Sequence, residues 1–382
     1  MKPFHILLLS VGSLIGQNVL DCLANRRSKV RITGLNSESR NPRSFMCDRA
    51  YKSPLSASDG YKEYIIEIVK KEKPDMIMPG RDADVLLLAE LSELSEDMRK
   101  RIPGGSLNAA RIIGDNWESY NFAVRYGLNF APTLLPDHSK PREIIDWAQS
   151  VGYPVLAKPL HGFGSNGVRI IYEEGELIRL IEKKEGGLIL QKILGPGSSW
   201  AVSVKKIKED MGSGVPLFTC LADDNQYSSE MVIKPDGSLG KIMTCKNLMI
   251  MGKCEEAEIC DDPDLLMISQ NYACSIAKEG WRGMFNLQCR KTESGFHAFE
   301  MNGRLSGSAS ARGWLGYDEM RELIKAFYDF DIGPDPRYME KKNGIVFRSH
   351  KDLYTEKVNI DSLNEDGLWQ EKDPEYKTGS FF

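Results

Sequence analysis

Apolar and polar positions follow two different periods along the first hundred residues. Short apolar runs, which predict buried strands, occupy residues 4–10, 30–35 and 76–78. Apolar residues recur at helical spacing in residues 12–23, 61–71 and 85–94. This alternation of strand and helix predicts a parallel sheet with helices on both faces.

The pattern after residue 108 mixes helices with strands that read as antiparallel. Residues 108–129 predict a helical pair, and residues 199–249 alternate as strands do, with two glycine-containing turns. A helix over residues 263–279 has Asp262 as its expected N-cap and Pro263 in its first turn. The other predicted elements are helices at 142–151, 176–184 and 320–328 and strands at 155–158, 167–172 and 188–193.

Together these patterns predict an α/β protein: an N-terminal, Rossmann-like parallel-sheet domain followed by a two-lobed α+β unit. At roughly 150 residues per domain, the 382 residues suggest two or three domains. The predicted boundaries enclose residues 1–107, a small lobe at 108–190, a large lobe at 191–332 and a C-terminal extension at 333–382.

Composition narrows the class of function. The net charge is −4, so we expect no nucleic-acid partner. No apolar run approaches the ~20 residues that cross a bilayer, so we expect no membrane partner. The eight cysteines are scattered without a C-x-x-C pair, which favours reduced thiols and a cytoplasmic location. Residues 6–9 resemble the core of a short secretion signal, but no credible cleavage site follows, so we interpret them as a strand.

The first candidate for chemistry is the turn at residues 10–16, where Gly12 and Gly16 join a strand to a helix. Backbone N–H groups at such a turn can hold a phosphate. The spacing is not that of a dinucleotide site, and residue 36 is Asn36 rather than the acid expected on a ribose. The plainer interpretation is that the glycines permit close packing of helix on strand.

The second candidate is Lys158 with the loop that follows it, which contains three glycines in six residues. A lysine at a strand end is a fixed cation, and a glycine-rich loop can close its N–H groups over phosphates. Because strands are predicted on both sides, the loop would form the tip of a hairpin. An ordinary flexible turn is the alternative.

The third candidate is a predicted hairpin in which residues pair when their numbers sum to 588. A three-residue loop ending at Gly295 sets this register. Gln288 then faces Glu300, and Asn286 faces Asn302, all on one face of the sheet. Phe299 and Met301 would point to the other, apolar face. Four oxygen-bearing groups in one patch suit Mg²⁺, whereas a solvated polar sheet face is the alternative.

The ordered set of motifs resembles the ATP-grasp enzymes. It is similar to the ATP-binding halves of the large chain of carbamoyl-phosphate synthase and to carboxylate–amine ligases. The resemblance covers about residues 4–330. Its motifs are Tyr-Pro-Val-Leu-Ala-Lys-Pro at 153–159, the glycine-rich loop 162–167, Phe-Asn-Leu-Gln at 285–288 and Phe-Glu-Met-Asn-Gly-Arg at 299–304.

The resemblance implies a set of ATP contacts. Lys158 would contact the α- and β-phosphates, and Lys246 is a weaker candidate for the γ-phosphate. Gln191, Lys192 and Ile193 match the segment whose backbone meets adenine, and Ser199 aligns near the ribose acid. The loop residues that would cover the phosphates are Gly162, Gly164, Ser165, Asn166 and Gly167.

The resemblance also implies a metal site and a catalytic arginine. Gln288, Glu300 and Asn302 would hold one or two Mg²⁺ ions, with Mn²⁺ as an alternative cation. Arg304, together with Lys158, would neutralise the transferring phosphoryl group. The N-terminal domain, including Asp82, and the segment from Arg304 to Arg312 would line the part of the site where the substrates bind. The weaker substrate candidates are Arg304, Ser306, Gly307, Ser308, Arg81 and Arg312, and for the last two an ion pair is the plainer interpretation.

Four positions depart from the family pattern. Asn116 replaces a basic residue, Gln191 and Ser199 stand where acids are usual, and Gly303 stands where the signature has proline. These departures bear on nucleotide pose and affinity more than on phosphate chemistry.

The implied reaction is ATP-dependent amide formation from a small carboxylate and an amine through an acyl phosphate, with release of ADP and phosphate. The alternatives are a carbamate- or carboxylate-phosphorylating enzyme of carbamoyl-phosphate synthase type and an ATP-binding module without turnover. A homodimer is expected from the family resemblance alone.

Overall fold

The computed structural model describes residues 2–162, 167–195, 222–250, 252–338, 344–349 and 355–370. They fall into two compact units. The first takes its described residues from Met1–Gly104, Arg304–Met339 and Ser349–Phe382, and the second from Gly105–Gly303 and Glu340–Arg348.

Strands and helices are numbered in chain order. The strands are β1 Phe4–Leu8, β2 Val30–Asn36, β3 Arg49–Lys52, β4 Met76–Met78, β5 Thr133–Leu134, β6 Val155–Pro159, β7 Arg169–Ile171, β8 Leu188–Lys192, β9 Ala222–Ile233, β10 Met243–Ile250, β11 Lys253–Ile259, β12 Gly283–Thr292, β13 Gly295–Asn302, β14 Ile345–Phe347 and β15 Leu368–Gln370. The helices are α1 Leu14–Leu23, α2 Tyr61–Glu72, α3 Asp82–Ser92, α4 Glu96–Arg101, α5 Leu107–Gly114, α6 Asn116–Arg125, α7 Pro141–Val151, α8 Glu174–Glu182, α9 Pro263–Lys278, α10 Ala309–Trp314, α11 Glu319–Tyr328 and α12 Lys357–Glu365.

The first unit is built on a five-stranded sheet in the order β15–β3–β2–β1–β4. Strands β1 to β4 run parallel, as the alternating pattern predicts, and β15 joins the edge antiparallel. The sequence pattern did not indicate β3 or β15, which are short and lie at one edge. All five residues of β1 are buried, which explains why the strand reads as a continuous apolar run.

The turn between β1 and α1 is closely packed. Ser13 is the N-cap of α1, and its hydroxyl accepts a hydrogen bond from the Gly16 backbone N–H. A Cβ on Gly16 would overlap the Val11 carbonyl. Packing therefore accounts for this glycine, which agrees with the plainer of the two interpretations of the turn.

The segment that begins at Arg304 belongs to the first unit. The predicted boundaries instead placed residues up to 332 in the large lobe and residues 333–382 in a C-terminal extension. Polar contacts with α1 hold the segment in the first unit. The Asn18 amide donates to the Gly307 carbonyl at 3.0 Å and accepts from the Ser310 backbone N–H at 3.1 Å. Farther along, Arg26 forms an ion pair with Asp318.

The second unit contains two antiparallel sheets. One has four strands in the order β5–β8–β6–β7, and the other has six in the order β13–β12–β9–β10–β11–β14. Helices α5 and α6 form the predicted pair, and Asp262 caps α9 as predicted, by accepting from the Asp264 N–H.

In the described ranges, no helix is both long and apolar enough to cross a membrane. The seven cysteines that lie there are free thiols.

Trp281 packs closely against the backbone at Gly303, directly after β13. Its side chain is buried, and its indole N–H donates to the Met284 carbonyl at 2.9 Å. A Cβ on Gly303 would lie 2.5 Å from the indole Cζ2, and one on Gly105 would lie 2.5 Å from Trp281 Cα. The indole therefore fills the space that a side chain at 303 would need, which explains the glycine where the family signature has proline.

We predict that Gly303→Ala lowers the free energy of unfolding by about 1–3 kcal/mol, because a buried ring must shift to admit the methyl group. Gly114→Ala is the matched control, since a Cβ there meets no atom within 4 Å. Both substitutions restrict the unfolded chain equally. Urea unfolding followed by far-ultraviolet circular dichroism measures the difference. Equal unfolding midpoints for the two variants would contradict the packing argument. In a chain that already carries Trp281→Leu, Gly303→Ala should no longer lower the free energy of unfolding.

Candidate functional site

The hairpin of β12 and β13 has the predicted register where it matters for the candidate metal site. Asn286 pairs with Asn302, and Gln288 pairs with Glu300. Because side chains alternate along a strand, these four groups share one face of the six-stranded sheet. The buried Met301 lies on the other face.

The tip of the hairpin differs from the prediction. Thr292 pairs with Gly295, so the loop has two residues rather than three, and a β-bulge leaves Phe299 unpaired between Glu300 and Ala298. The expectation that Phe299 faces the apolar side is wrong. The centre of its ring lies 5.8 Å from the guanidinium carbon of Arg290. Arg290 is two residues from Gln288 along β12 and therefore lies on the same polar face.

A polar strand that sequence reasoning missed lies beside the hairpin. Strand β9 pairs with β12, opposing Glu230 to Asn286 and Ser228 to Gln288. Gln226 donates to the side-chain oxygen of Gln288 at 2.6 Å. The sequence predicts strands in residues 199–249, but their neighbour in the sheet lies more than fifty residues later in the chain and could not be identified from pattern.

Asp223 also belongs to strand β9. Asp223 forms an ion pair with Arg290, which lies next to Gln288 along the polar face of β12. A carboxylate that the sequence left unassigned is thus paired with an arginine.

The donor atoms on this face fit a hard divalent cation. Glu300 offers a carboxylate, and Gln288 and Asn302 offer amide oxygens, which is the ligand chemistry that Mg²⁺ prefers. Within the described ranges, no group of three His, Cys, Asp or Glu side chains is arranged to hold a metal. The candidate set therefore relies on amides and on phosphate oxygens of a nucleotide to complete the coordination.

Lys158 lies close to the same face. It sits on β6, is buried, and donates from Nζ to the Phe299 carbonyl at 3.2 Å. Burial lowers the pKa of Lys158 to about 8, and the nearby Glu300 carboxylate opposes that shift. The structure thus brings together the lysine and the hairpin that the sequence singled out separately.

The strands on either side of the glycine-rich loop, β6 and β7, pair antiparallel, as predicted. Gly162 is exposed, and Gly167 has a φ of +74°, a conformation that favours glycine. The candidate residues Gly164, Ser165, Asn166 and Ser199 lie outside the described residues.

Asn116, where the family pattern has a basic residue, has a clear structural partner. Its side-chain amide donates to the Pro159 carbonyl at 2.9 Å, and its backbone N–H donates to the Leu160 carbonyl. These bonds anchor the start of the glycine-rich loop to the N-terminus of α6. The residue therefore fixes the base of the loop.

The candidate adenine segment lies at the end of β8. Gln191 is buried and donates to the Thr133 hydroxyl at 3.1 Å, so its side chain bridges to β5. Lys192 pairs with Val155, and Ile193 packs against Leu156. The neutral amide of Gln191 fits this buried position without the desolvation cost of the acid usual in the family.

Lys246 is not brought to the candidate site. Its neighbour Cys245 pairs with Ser228, which in turn pairs with Gln288, so Lys246 points to the opposite face. Its side chain is 43% exposed, and Nζ lies 3.9 Å from a Glu258 oxygen. The sequence alone could not predict how these strands pair. Their pairing places Lys246 on the face opposite the candidate site, so Lys246 is no longer a candidate for the phosphate contacts.

Arg304 belongs to the first unit, where its side chain is buried. It donates to the carboxylate of Asp82 at 2.8 Å. Asp82 is the first residue of α3, which follows the end of β4. An acidic side chain at the carboxyl edge of the parallel sheet thus orients the candidate catalytic arginine.

The remaining substrate candidates form structural contacts in the first unit. Arg312 is fully buried, forms an ion pair with Glu319, and donates to the hydroxyls of Ser306 at 2.6 Å and Ser308 at 2.8 Å. The weaker alternative, that Arg312 contacts the substrate, is therefore not supported, because the charge of Arg312 is already balanced inside the fold. The two serines, which were weaker substrate candidates, accept hydrogen bonds from Arg312.

The other two candidates in this group have similar contacts. The carbonyl of Gly307 accepts from Asn18. Arg81 is part-exposed, donates to the Ser10 hydroxyl at 2.9 Å and lies 3.4 Å from a carboxylate oxygen of Asp84. Burial raises the pKa of Asp84, and the Arg81 charge opposes that shift. The ion-pair interpretation holds for both Arg81 and Arg312.

Sequence comparison finds relatives that match part of the chain. It is 27% identical over 241 residues to a carbamoyl phosphate synthase large chain, N-terminal section, from Methanopyrus kandleri, covering 57% of the chain and 40% of that protein. It is 27% identical over 137 residues to a carbamoyl phosphate synthase large chain from Methanothermobacter thermautotrophicus, covering 35% of the chain and 12% of that protein. The matches thus span less than half of each relative, and no family model matches.

Solved structures share the fold over most of the chain. The biotin carboxylase domain of Hydrogenobacter thermophilus 2-oxoglutarate carboxylase, solved with MgADP and bicarbonate, has a TM-score of 0.62 at 18% identity, covering 90% of this chain and 74% of that one. N5-carboxyaminoimidazole synthetase from Staphylococcus aureus, complexed with ADP, has a TM-score of 0.63 at 12% identity, covering 91% and 81%. L-amino acid ligase from Bacillus licheniformis has a TM-score of 0.59 at 12% identity, covering 86% and 75%.

The structural similarity shows the fold, and the sequence similarity adds relatives that match part of the chain. Together, the sequence relatives and the solved structures support an ATP-grasp superfamily enzyme.

Proposed function

We propose that the chain is an ATP-dependent carboxylate–amine ligase that acts through an acyl phosphate. The observation that carries the proposal is the approach of Lys158 to the face that bears Glu300 and Gln288. A buried cation beside oxygen donors for a divalent ion is suited to binding a nucleoside triphosphate. The biotin carboxylase and synthetase structures of similar fold contain MgADP or ADP, which supports ATP and Mg²⁺ for this chain.

In the proposed reaction a substrate carboxylate oxygen attacks the γ-phosphorus of ATP, and the bond to the β-phosphate oxygen breaks to release ADP. An amine nitrogen then attacks the acyl carbon, phosphate leaves, and the amine gives up a proton. Lys158 would hold the phosphates by charge, and Arg304 would neutralise the transferring phosphoryl group. Mg²⁺, held by Gln288, Glu300 and Asn302, would supply charge neutralisation among the phosphate oxygens.

A second candidate is favoured by the sequence relatives. Several are carbamoyl phosphate synthase large chains, so the chain could phosphorylate a carboxylate or carbamate and release the acyl phosphate. The same residues would serve both reactions. We further propose small-molecule partners, a cytoplasmic location and, because the biotin carboxylase domain is described as a dimer, a homodimer.

The direct test is ADP release with pooled carboxylates and amines, with mass detection of products. An amide with ADP and phosphate supports the ligase, and an acyl phosphate with ADP supports the second candidate. ATP binding without ADP release for any acceptor would overturn both reactions in favour of an ATP-binding module.

We predict that Glu300→Ala lowers the rate of ADP formation by roughly 10²–10³-fold, because it removes the one carboxylate among the proposed cation ligands. Glu258→Ala is the control, since Glu258 pairs with Lys246, whose side chain lies on the other face of the sheet. Steady-state ADP release, with circular dichroism to verify the fold, measures the effect. Near-normal turnover in Glu300→Ala would remove this face from the mechanism.

ATP binding should depend on pH through Lys158. Its pKa is lowered to about 8, so the side chain is charged below that pH and loses its proton above it. Phosphates prefer the ammonium form, so above pH ~8 binding must take up a proton and should weaken by up to about tenfold per pH unit. Calorimetric titration with a non-hydrolysable ATP analogue, in buffers of different ionisation enthalpy, measures both affinity and proton uptake.

Lys158→Met is the matched variant for this experiment. It should bind more weakly at neutral pH and lose the dependence above pH 8, because the titrating amine is absent. The same slope in both proteins would assign the titration to another group.

A further inference from the structure

The first residues of β9 are hydrogen-bonded to the chain that continues from β8. Asn225 donates from Nδ2 to the Gly195 carbonyl and to the Lys291 carbonyl at 3.0 Å, and its Oδ1 accepts from the Lys291 backbone N–H at 3.3 Å. A Cβ on Gly195 would lie 2.6 Å from the Lys291 carbonyl oxygen. Gly195 is two residues beyond Ile193, the last residue of the candidate adenine segment. The start of β9 therefore lies beside the chain that follows this segment.

Asp223 carries a carboxylate from this place onto the polar face of the six-stranded sheet. It is two residues before Asn225 and forms an ion pair with Arg290, which is two residues from Gln288 along β12. Side chains two residues apart on a strand share a face and lie roughly 7 Å apart. In a nucleoside triphosphate the ribose joins the base to the phosphates. The carboxylate thus lies where a ribose would connect adenine to the phosphates at the candidate cation site.

Arg290 fixes the orientation of this carboxylate. Its Nη1 donates to Asp223 Oδ1 at 3.2 Å, and its Nη2 donates to Oδ2. The ring centre of Phe299 lies 5.8 Å from the guanidinium carbon on the same face. The two side chains are largely buried, with exposed fractions of 13% for Arg290 and 9% for Asp223. A guanidinium that donates to both oxygens sets the plane of the carboxylate as well as its position.

The Asp223 carboxylate has room for one more hydrogen bond. A carboxylate offers about four lone-pair sites on its two oxygens. Oδ1 accepts from Arg290 and from the Asn225 backbone N–H at 3.2 Å, whereas Oδ2 accepts from Arg290 alone among the described residues. Because the charge of Arg290 already balances that of Asp223, the site left at Oδ2 suits a neutral donor such as a hydroxyl.

We propose that Asp223 binds the nucleotide by accepting a hydrogen bond at Oδ2 from one ribose hydroxyl, with Arg290 as the positioning residue that holds the carboxylate. The inference rests on the proposed function, because it takes ATP as the ligand and residues 191–193 as the segment beside adenine. It adds a contact with the sugar to those proposed for the phosphates and the cation. A nucleotide that lacks this hydroxyl should bind about 10–100-fold more weakly, since a hydrogen bond to a charged group is lost.

The experiment is a calorimetric titration of the full chain with ADP, 2′-deoxy-ADP and 3′-deoxy-ADP in the presence of Mg²⁺. The unaltered chain should bind one of the deoxy nucleotides about 10–100-fold more weakly than ADP, which identifies the hydroxyl. In Asp223→Ala the ratio of the two affinities should fall to about one, because the acceptor is gone. A merely structural role of Asp223 would weaken binding of all three nucleotides equally and leave the ratio unchanged.

Asp224→Ala is the matched control. Asp224 is exposed and follows Asp223 directly. Burial lowers the pKa of Arg290, and the carboxylates of Asp223 and Asp224 both oppose that shift. The control therefore removes a charge that also acts on Arg290 but keeps the pair of Asp223 with Arg290. Its preference for ADP should equal that of the unaltered chain.

The outcomes separate the two proposals. If the unaltered chain does not bind ADP with Mg²⁺, the proposed function fails, and the ribose contact fails with it. If the chain binds ADP and both deoxy nucleotides equally, or if Asp223→Ala keeps the full preference for ADP, the ribose contact alone is overturned. Should Asp223→Ala fail to fold because Arg290 is left buried without its partner, Asp223→Ala with Arg290→Met removes both charges. A preference for ADP retained in that double variant is equally decisive.

Discussion

The alignment of β12 with β13 is the constraint on which the candidate site depends. Side chains alternate along a strand, so a slip of one residue would send Glu300 and Asn302 to the apolar face. Pairing with β9 on the other side of β12 supports the register. The bulge at Phe299 accommodates the two-residue turn and leaves the inner pairs, Gln288 with Glu300 and Asn286 with Asn302, in place.

The charges of the candidate site are expensive to bury, which indicates what the site is suited to hold. Lys158 is a desolvated cation whose pKa is lowered, and Glu300 offsets part of that cost. Added phosphates would offset more of it, because an anion favours the ammonium form. Glu230 lies buried on the same face, where a carboxyl oxygen accepts a hydrogen bond from Asn286.

Arginines that look alike in the sequence have different surroundings in the fold. Arg312 is enclosed with Glu319 and two serine hydroxyls, an arrangement in which removal of one partner would leave an uncompensated buried charge. Arg304 is held by Asp82 at the start of α3. A run of arginine and serine therefore does not by itself distinguish an anion-binding strip from an internal ion-pair network.

Local sequence determined the elements whose signals are contained within a few residues: the parallel strands β1, β2 and β4, the cap of α9, and the facing of Gln288 with Glu300 across one hairpin. Tertiary structure decided what depends on partners distant in the chain. It joined Glu230 to Asn286 across neighbouring strands, turned Lys246 to the opposite face, enclosed Arg312, and filled the space over Gly303 with Trp281. The physical reason is that pattern and turn chemistry act over a few residues, whereas sheet order and burial arise when distant segments pack.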